Sequence, residues 1–250
     1  GIDHFFSHLL VQELKKENLD NLSVSYKSFC GGLSATPNDF KYKFSWSPVG
    51  VIKALSNKAK FINNFKEKIV TPYQHVNLYR INDENFESYP NRNSLPYIDE
   101  YQFLNEWKIK DFIRGTLRLS GWSEAWKDIF AMLENPSDDL EADIKIKSDE
   151  LWSKYQYEKN EEDRVILSVS LEALNDNNEV LWSGSYELDE TGSGETTAMA
   201  LLVSITLTSG IDLIIQNKLD PGVQSAPHTK TNIEYFFKTL EDYKISIKKK

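Results

Sequence analysis

Four short strings in this chain pair a backbone-permissive or turn-forming residue with a cationic or aromatic side chain. They are Ser28-Phe29-Cys30-Gly31-Gly32-Leu33, Tyr42-Lys43-Phe44-Ser45-Trp46-Ser47-Pro48, Tyr89-Pro90-Asn91-Arg92 and Arg114-Gly115-Thr116-Leu117-Arg118. Glycine lets backbone approach a ligand closely, and arginine offers a planar fork that grips a carboxylate through two parallel hydrogen bonds, which lysine does not. The chemistry suggested is a pocket for a small polar anion. The 29 basic residues include five arginines, Arg80, Arg92, Arg114, Arg118 and Arg164, and three of the five fall inside these strings. A chain that otherwise prefers lysine either needs fork geometry there or places arginine there for structural ion pairing.

Other chemistries are poorly supported. His4 and His8 lie four apart on a helical stretch, but a zinc-protease helix places glutamate after the first histidine, and here that position is Phe5. His75 and His228 have no neighbours that suggest a relay. No metal site is expected. Cys30 is a reactive thiol only beside a cation or a helix N-terminus, and otherwise a small half-buried residue. Thr191-Gly192-Ser193-Gly194 lacks the lysine and preceding-strand context of a phosphate loop and reads as a flexible connection. Nowhere does a strand lead into G-x-G-x-x-G and a helix, so these residues do not complete a nicotinamide enzyme.

The elements that must position the strings follow from periodicity. Ile2, Phe5, Phe6, Leu9, Leu10 and Leu14 predict an amphipathic helix ending near Glu17; Leu22, Val24 and Tyr26 predict a strand running into Cys30. Ser47-Pro48 reads as an N-cap with proline in the first turn of a helix. Residues 61–70 and 73–81 read as short strands or irregular edges. Ser94-Leu95-Pro96 opens another helix, 112–119 reads as a strand interrupted at Gly115, and 122–133 as an amphipathic helix. The acidic stretch 135–146 reads as a surface insertion or linker before a short helix at Leu151, Trp152 and Tyr155. Val165, Leu167, Val169 and Leu171 alternate, Asn175-Asp176-Asn177-Asn178 turns the chain, and 180–188 returns as a hairpin. A long helix at 196–219 and an amphipathic one at Ile233, Phe236, Phe237 and Leu240 complete the chain, with Lys248-Lys249-Lys250 as a solvated tail. This mixture predicts an α+β fold with helices covering a mixed, partly antiparallel sheet.

Composition sets outer limits. The chain of 250 residues is 40% hydrophobic and 12% aromatic, ordinary for a folded domain, and its net charge of -9 argues against nucleic acid, which requires a basic face. One cysteine excludes intrachain disulfides and fits a reducing compartment; no signal-peptide pattern is seen, so a soluble, cytoplasmic protein is expected. The apolar run 198–215 is marginal for a bilayer and carries Ser204, Thr206, Thr208, Ser209 and Asp212, so a buried helix and no membrane partner are expected.

Taken in order and spacing, the four strings resemble those of saccharopine reductases, which belong with lysine-biosynthetic and carboxyspermidine dehydrogenases. Gly1-Ile2-Asp3-His4 resembles the tail of that family's Asp-Pro-Gly-Ile-Asp-His motif. The resemblance implies the α/β-type substrate domain that accompanies an N-terminal Rossmann domain, with NADP bound mainly by that absent domain and none expected in this chain alone. Residues 1–190 are then a substrate-binding and dimerisation domain, and 191–250 a helical segment packing on the Rossmann domain. The implied reaction is NAD(P)H-dependent reduction of an imine formed from a semialdehyde and an amino acid, by a homodimer. Carried over residue by residue, Cys30 is catalytic, at the reacting centre with Gly31, and Trp46 walls the substrate. Arg92 clamps a substrate carboxylate beside Asn91, and Arg114 and Thr116 also bind substrate. The chain departs from relatives at Leu33-Ser34-Ala35-Thr36-Pro37, in a shorter 135–160 region, and after Met199, where Gly and Pro are missing. Two rival readings remain: a carboxyspermidine-type reductase of polyamine synthesis, and a divergent non-catalytic ligand-binding module.

Overall fold

The computed structural model describes residues 1–193, 195–223 and 226–250. Helix α1 (Ile2–Lys16) leads to strand β1 (Ser23–Ser34), and helix α2 (Pro48–Ser56) to the hairpin β2 (Ala59–Asn63) and β3 (Lys66–Val70). A second hairpin, β4 (Asn77–Ile81) and β5 (Glu84–Pro90), precedes the short helix α3 (Pro96–Glu100) and the long strand β6 (Lys108–Leu119). Three helices follow, α4 (Trp122–Ala125), α5 (Lys127–Glu134) and α6 (Leu140–Tyr155), then the hairpin β7 (Asp163–Leu174) and β8 (Val180–Thr191). Helices α7 (Ala198–Ile215) and α8 (Lys230–Asp242) and a final strand β9 (Ile247–Lys249) end the chain.

The strands form a nine-stranded sheet in the order β3-β2-β6-β1-β7-β8-β9, with β5 also on β6 and β4 beyond it. Among the strand pairs of the described residues β1 and β6 run parallel and the rest antiparallel. The mixed, partly antiparallel α+β architecture is therefore as expected from the sequence. Strand alternation sends Val24 and Tyr26 of β1 and Val165, Val169 and Leu171 of β7 to one face, where α1, α7 and α8 cover them. Phe5 of α1 stacks on Phe236 of α8 with ring centroids 3.7 Å apart. Farther along the same face a second core forms between α2, α4, α5 and α6, centred on Phe40, Phe44, Trp122 and Trp126. The opposite face carries a smaller cluster of Phe29, Leu33, Leu117 and Ile166, roofed by Ile81 and Phe86 of the β4–β5 hairpin.

Several local expectations change. Residues 84–90 form a strand that the sequence reading does not contain. Strand β6 continues through Gly115 without interruption. The acidic stretch is no linker: 140–155 is one helix, capped by Asp139, whose Oδ1 accepts from the Ala142 amide at 3.1 Å. Its polar face takes the charges while Ile144, Ser148 and Leu151 pack inward. The terminal lysines are no free tail either. Strand β9 pairs with β8, Lys249 reaches Glu13 at 2.8 Å and Lys250 reaches Glu187 at 2.8 Å. Helix α7, expected to be buried, is so on one side only: Leu202, Ile205 and Leu213 face the core, whereas Val203, Leu207, Ile211, Ile214 and Ile215 are exposed. Length and composition alone would let it cross a membrane. Ser47 stands at the N-cap of α2 with Pro48 after it, but its side chain makes no capping bond. Of the Thr191-Gly192-Ser193-Gly194 connection, Gly194 lies outside the described residues; the Gly192 amide donates to the Asp163 carbonyl at 2.8 Å.

Candidate functional site

A cavity of about 410 Å³ opens on the helical face between the two cores. Its floor is made by neighbouring strands. Cys30 of β1 is in register with Thr116 of β6, which in turn faces Tyr89 of β5. Alternation along β6 then aims Arg114, Thr116 and Arg118 at the same cavity. Asn91 follows directly from β5, its amide donating to the Arg114 carbonyl at 2.9 Å. Every site residue expected from the sequence lines this one cavity: Cys30, Gly31, Trp46, Asn91, Arg92, Arg114 and Thr116.

The close approach of β1 and β6 explains two glycines. A methyl at Gly31 would sit 2.6 Å from the Leu117 carbonyl oxygen, and one at Gly115 would enter the Phe29 ring and lie 2.7 Å from the Tyr89 carbonyl oxygen. Larger residues at either position would push the strands apart under the cavity. Arg92 is exposed and sits at φ +50°, a left-handed backbone that non-glycine residues adopt at some cost, often beside functional sites. Hydrogen bonds on both sides hold the turn. The Lys60 amide donates to the Arg92 carbonyl at 2.8 Å and the Ser94 amide to the Lys60 carbonyl at 2.8 Å. Trp46 remains 53% exposed, an indole held at the rim by packing over Gly50.

Electrostatics separates the polar groups. The Cys30 side chain faces the cavity, yet the enclosing protein pushes its thiol up to about 11, with the nearby Asp3 carboxylate adding to the effect. It is therefore a neutral thiol at physiological pH, which donates weakly and does not act as a thiolate. Arg114 is committed on two sides: its Nη2 donates to Asp3 Oδ2 at 2.7 Å and its guanidinium lies 3.8 Å from the Tyr97 ring centre. Burial opposes ionisation of Asp3, but His4, the amine of Gly1 and Arg114 together outweigh it and hold that carboxyl at about 2. Burial also lowers His4, whose Nδ1 lies 3.1 Å from the Tyr101 hydroxyl. Lys43 is tied to Glu161 at 2.6 Å. Asp163, also in the wall, caps α7 through the Ala198 and Met199 amides, the latter at 2.9 Å. Among the described residues no cluster of His, Cys, Asp and Glu suits a metal ion.

A family model for the saccharopine dehydrogenase C-terminal domain matches residues 1–245. The chain belongs to this family. Half of the chain is 37% identical over 136 residues to the saccharopine dehydrogenase [NADP(+), L-glutamate-forming] of Schizosaccharomyces pombe, covering 28% of that protein. Half is likewise 37% identical over 135 residues to the mitochondrial alpha-aminoadipic semialdehyde synthase of Rattus norvegicus, covering 14% of it. The whole chain aligns at 26% identity with the saccharopine dehydrogenase [NADP(+), L-glutamate-forming] of Pyricularia oryzae, over 71% of that protein. Its fold is that of apo saccharopine dehydrogenase (L-Glu forming) from Saccharomyces cerevisiae, with a TM-score of 0.80 and 23% identity over the full chain and 71% of that structure. The match thus covers less than a third of the length of each of the first two relatives.

Within this saccharopine dehydrogenase C-terminal domain the sequence reading missed several wall residues. Tyr42, Tyr89 and Arg118 stand inside the quoted strings and carry a signal of type and position. Tyr97, Asp163 and Met199 come from distant elements and carry none. The dinucleotide is a poor fit to the residues present: among the described residues no strand-to-helix glycine loop lines the cavity, and the N-terminus of α7, beside Met199 in its wall, is already capped by the Asp163 carboxylate.

Proposed function

We propose that this chain is the substrate-binding part of a saccharopine-dehydrogenase-like oxidoreductase. The reaction class is NADPH-dependent reduction of an imine between a semialdehyde and an amino acid, giving a secondary amine with several carboxylates. One observation carries the reading: Cys30, Gly31, Trp46, Asn91, Arg92, Arg114 and Thr116, scattered over 87 positions of chain, line a single cavity. The chain's own residues supply binding and orientation. Arg92 meets a carboxylate at the mouth, Asn91 and Thr116 offer hydrogen bonds, and the neutral Cys30 thiol walls the reacting centre without competing as a nucleophile.

Hydride supply is assigned to a cofactor domain elsewhere in the protein, docked on the open side of α7. Two features support that placement. The exposed Val203, Leu207, Ile211, Ile214 and Ile215 make an aliphatic stripe on a helix whose other side is packed. The small groove at the start of α7 shares Cys30, Gly31, Gly32 and Met199 with the main cavity, so a domain seated there reaches the reacting centre. The polyamine branch draws no support from the relatives named above, which carry saccharopine or aminoadipic semialdehyde in their names.

The test is NADPH oxidation by the full-length gene product on mixing α-aminoadipate semialdehyde with L-glutamate. Turnover with this pair, and none with aspartate semialdehyde and a diamine, is the expected outcome. Turnover of the diamine pair alone would overturn the substrate assignment, and absence of NADPH binding would favour a non-catalytic module.

A further inference from the structure

The wall that carries Tyr89, Asn91 and Arg92 hangs on a narrow ribbon of the sheet. Strand β1 pairs with β6 as far as Thr116; past that point β6 has β5 as strand partner, and β4 lies outside β5. Among the described residues no further strand pairs with the outer edge of β4. So short a ribbon keeps its place through what it packs against. Glu87 braces it only from within: its carboxylate accepts from the Gly121 and Ser123 amides, at 2.8 and 2.7 Å, in the segment directly after β6. An apolar contact, Ile81 and Phe86 over Leu33 and Ile166, ties it to the body of the sheet.

Two cations hold the tip of the ribbon, the β4–β5 turn. Arg164 of β7 donates from Nη1 to Glu84 Oε1 at 3.2 Å, and from Nε and Nη2 to the two oxygens of Asp189, each at 2.7 Å. Lys250, which follows β9, donates to Asn82 Oδ1 at 3.0 Å and to Glu187 Oε1 at 2.9 Å. Each cation thus joins one residue of the turn to one acid of β8. Glu187 and Asp189 are two apart, so both acids stand on the same face of that strand. The Arg164 side chain is 23% exposed and grips Asp189 through a fork, a geometry far more restrictive than a surface ion pair. The other end of β5 enters the cavity. There the Asn91 amide donates to the Arg114 carbonyl at 2.9 Å, and the Arg92 carbonyl accepts from the Lys60 amide at 2.8 Å. From Glu84 to Arg92 the extended chain runs about 26 Å, so a small swing of the tip turns the strand that delivers both residues.

We propose that Arg164 and Lys250 are positioning residues, two clasps on the far end of the β4–β5 hairpin that fix how Asn91 and Arg92 enter the cavity. Neither touches ligand; both act through the strand between. The inference rests on the ligand role given to Arg92 in the function proposed above, and adds what holds that residue in place.

The test releases the turn from its own side. Glu84→Ala combined with Lys250→Met opens both clasps and leaves Arg164 on Asp189, so β7 and β8 stay paired. Amide hydrogen exchange resolved to single residues, recorded without ligand, follows Asn91 and Lys60; calorimetry follows saccharopine binding. Exchange at Asn91 and Lys60 should quicken about tenfold along with the turn, while β1 and β7 stay unchanged. Saccharopine should bind about fivefold more weakly. That loss should vanish when both chains also carry Arg92→Ala, because two changes acting through one contact do not add. Arg164→Lys, which keeps the charge and loses the fork, should show a smaller loss of the same kind. Faster exchange confined to the turn, or an equal loss of binding with and without Arg92, would overturn the clasps. A parent chain that binds no saccharopine would overturn the proposed function, and exchange at Asn91 would still decide whether the clasps hold the strand.

Discussion

On the same face of β6, Arg114 lies toward α1 and Arg118 lies toward α2 and α4, four residues further on. Arg114 is met by Asp3 at 2.7 Å and lies over the Tyr97 ring, 3.8 Å from its centre. Arg118 is more deeply enclosed, yet among the described residues its guanidinium bonds just the neighbouring carbonyl of its own strand. Both leave Nε without a partner, so neither side is fully satisfied by the fold. The contrast separates two uses of one residue type. A cation answered inside the protein ties α1 to the sheet. A cation left unanswered is retained against stability, and such local violations concentrate where a ligand completes the site.

The largest expected effect tests the answered side. Asp3→Asn removes the partner of Arg114, and breaking so enclosed an ion pair costs about 3 kcal/mol. Denaturant unfolding measures it; a loss below about 1 kcal/mol, the range of surface pairs, would remove the contrast between the two arginines.

Next is the acid limb on the same side. His8 is held down at about 4 by burial first and then by the neighbouring His228 and His4. Its neutral form is favoured only in the folded state, so that stability is complete above its unfolded value near 6.5. It is lost as pH falls from there toward 4, on the order of 3 kcal/mol in all. Asp3 contributes its own loss only at lower pH, between its ordinary range and about 2. A plot of melting temperature from pH 7 to 4 should therefore slope in the parent and flatten in His8→Leu. Equal slopes would place the acid sensitivity elsewhere.

Two smaller effects probe the cavity side. Gly115→Ala forces the Phe29 ring and the Tyr89 backbone apart and should cost about 1–3 kcal/mol by overpacking. A neutral result would show that the close approach of the strands is dispensable. Arg92→Ala should change stability by less than about 0.5 kcal/mol, as befits an exposed side chain. It should weaken saccharopine binding by about 1.5–3 kcal/mol, the range for a charge-assisted hydrogen bond. A large stability loss with unchanged binding would reverse the assignment.

The site was legible where chemistry and backbone signals coincide. Gly31 marks a place where backbone comes close, and Arg92 and Trp46 stand two residues from prolines in turn-rich strings, whereas Gly115, which reads as an interruption, is where β6 passes tightly against Phe29. What could not be read was pairing at a distance. Asp3 reaches Arg114 across 111 positions, and nothing local marks it as a partner. The enclosure of Arg118 depends on Tyr42 and Trp122 arriving from separate elements, so its sequence shows only a cation in a strand. The fold was misread for the same reason in three places. Strand β5 has too little alternation to stand out, because its neighbours on both sides bury nearly all of it. Helix α6 carries charges on most of its surface and needs α2 to define its apolar side. Strand β9 takes its place from pairing with β8 and from Glu13 and Glu187, which meet Lys249 and Lys250 from distant parts of the chain.

The central claim is that this cavity binds a multi-carboxylate amino acid through its unanswered arginines. A crystal structure of the chain with saccharopine tests it most directly. The account predicts ligand in the cavity, one carboxylate on Arg92, another on Arg118, and the secondary amine beside Cys30 and Thr116. Saccharopine bound elsewhere, or lying in the cavity with both guanidinium groups uncontacted, would contradict it.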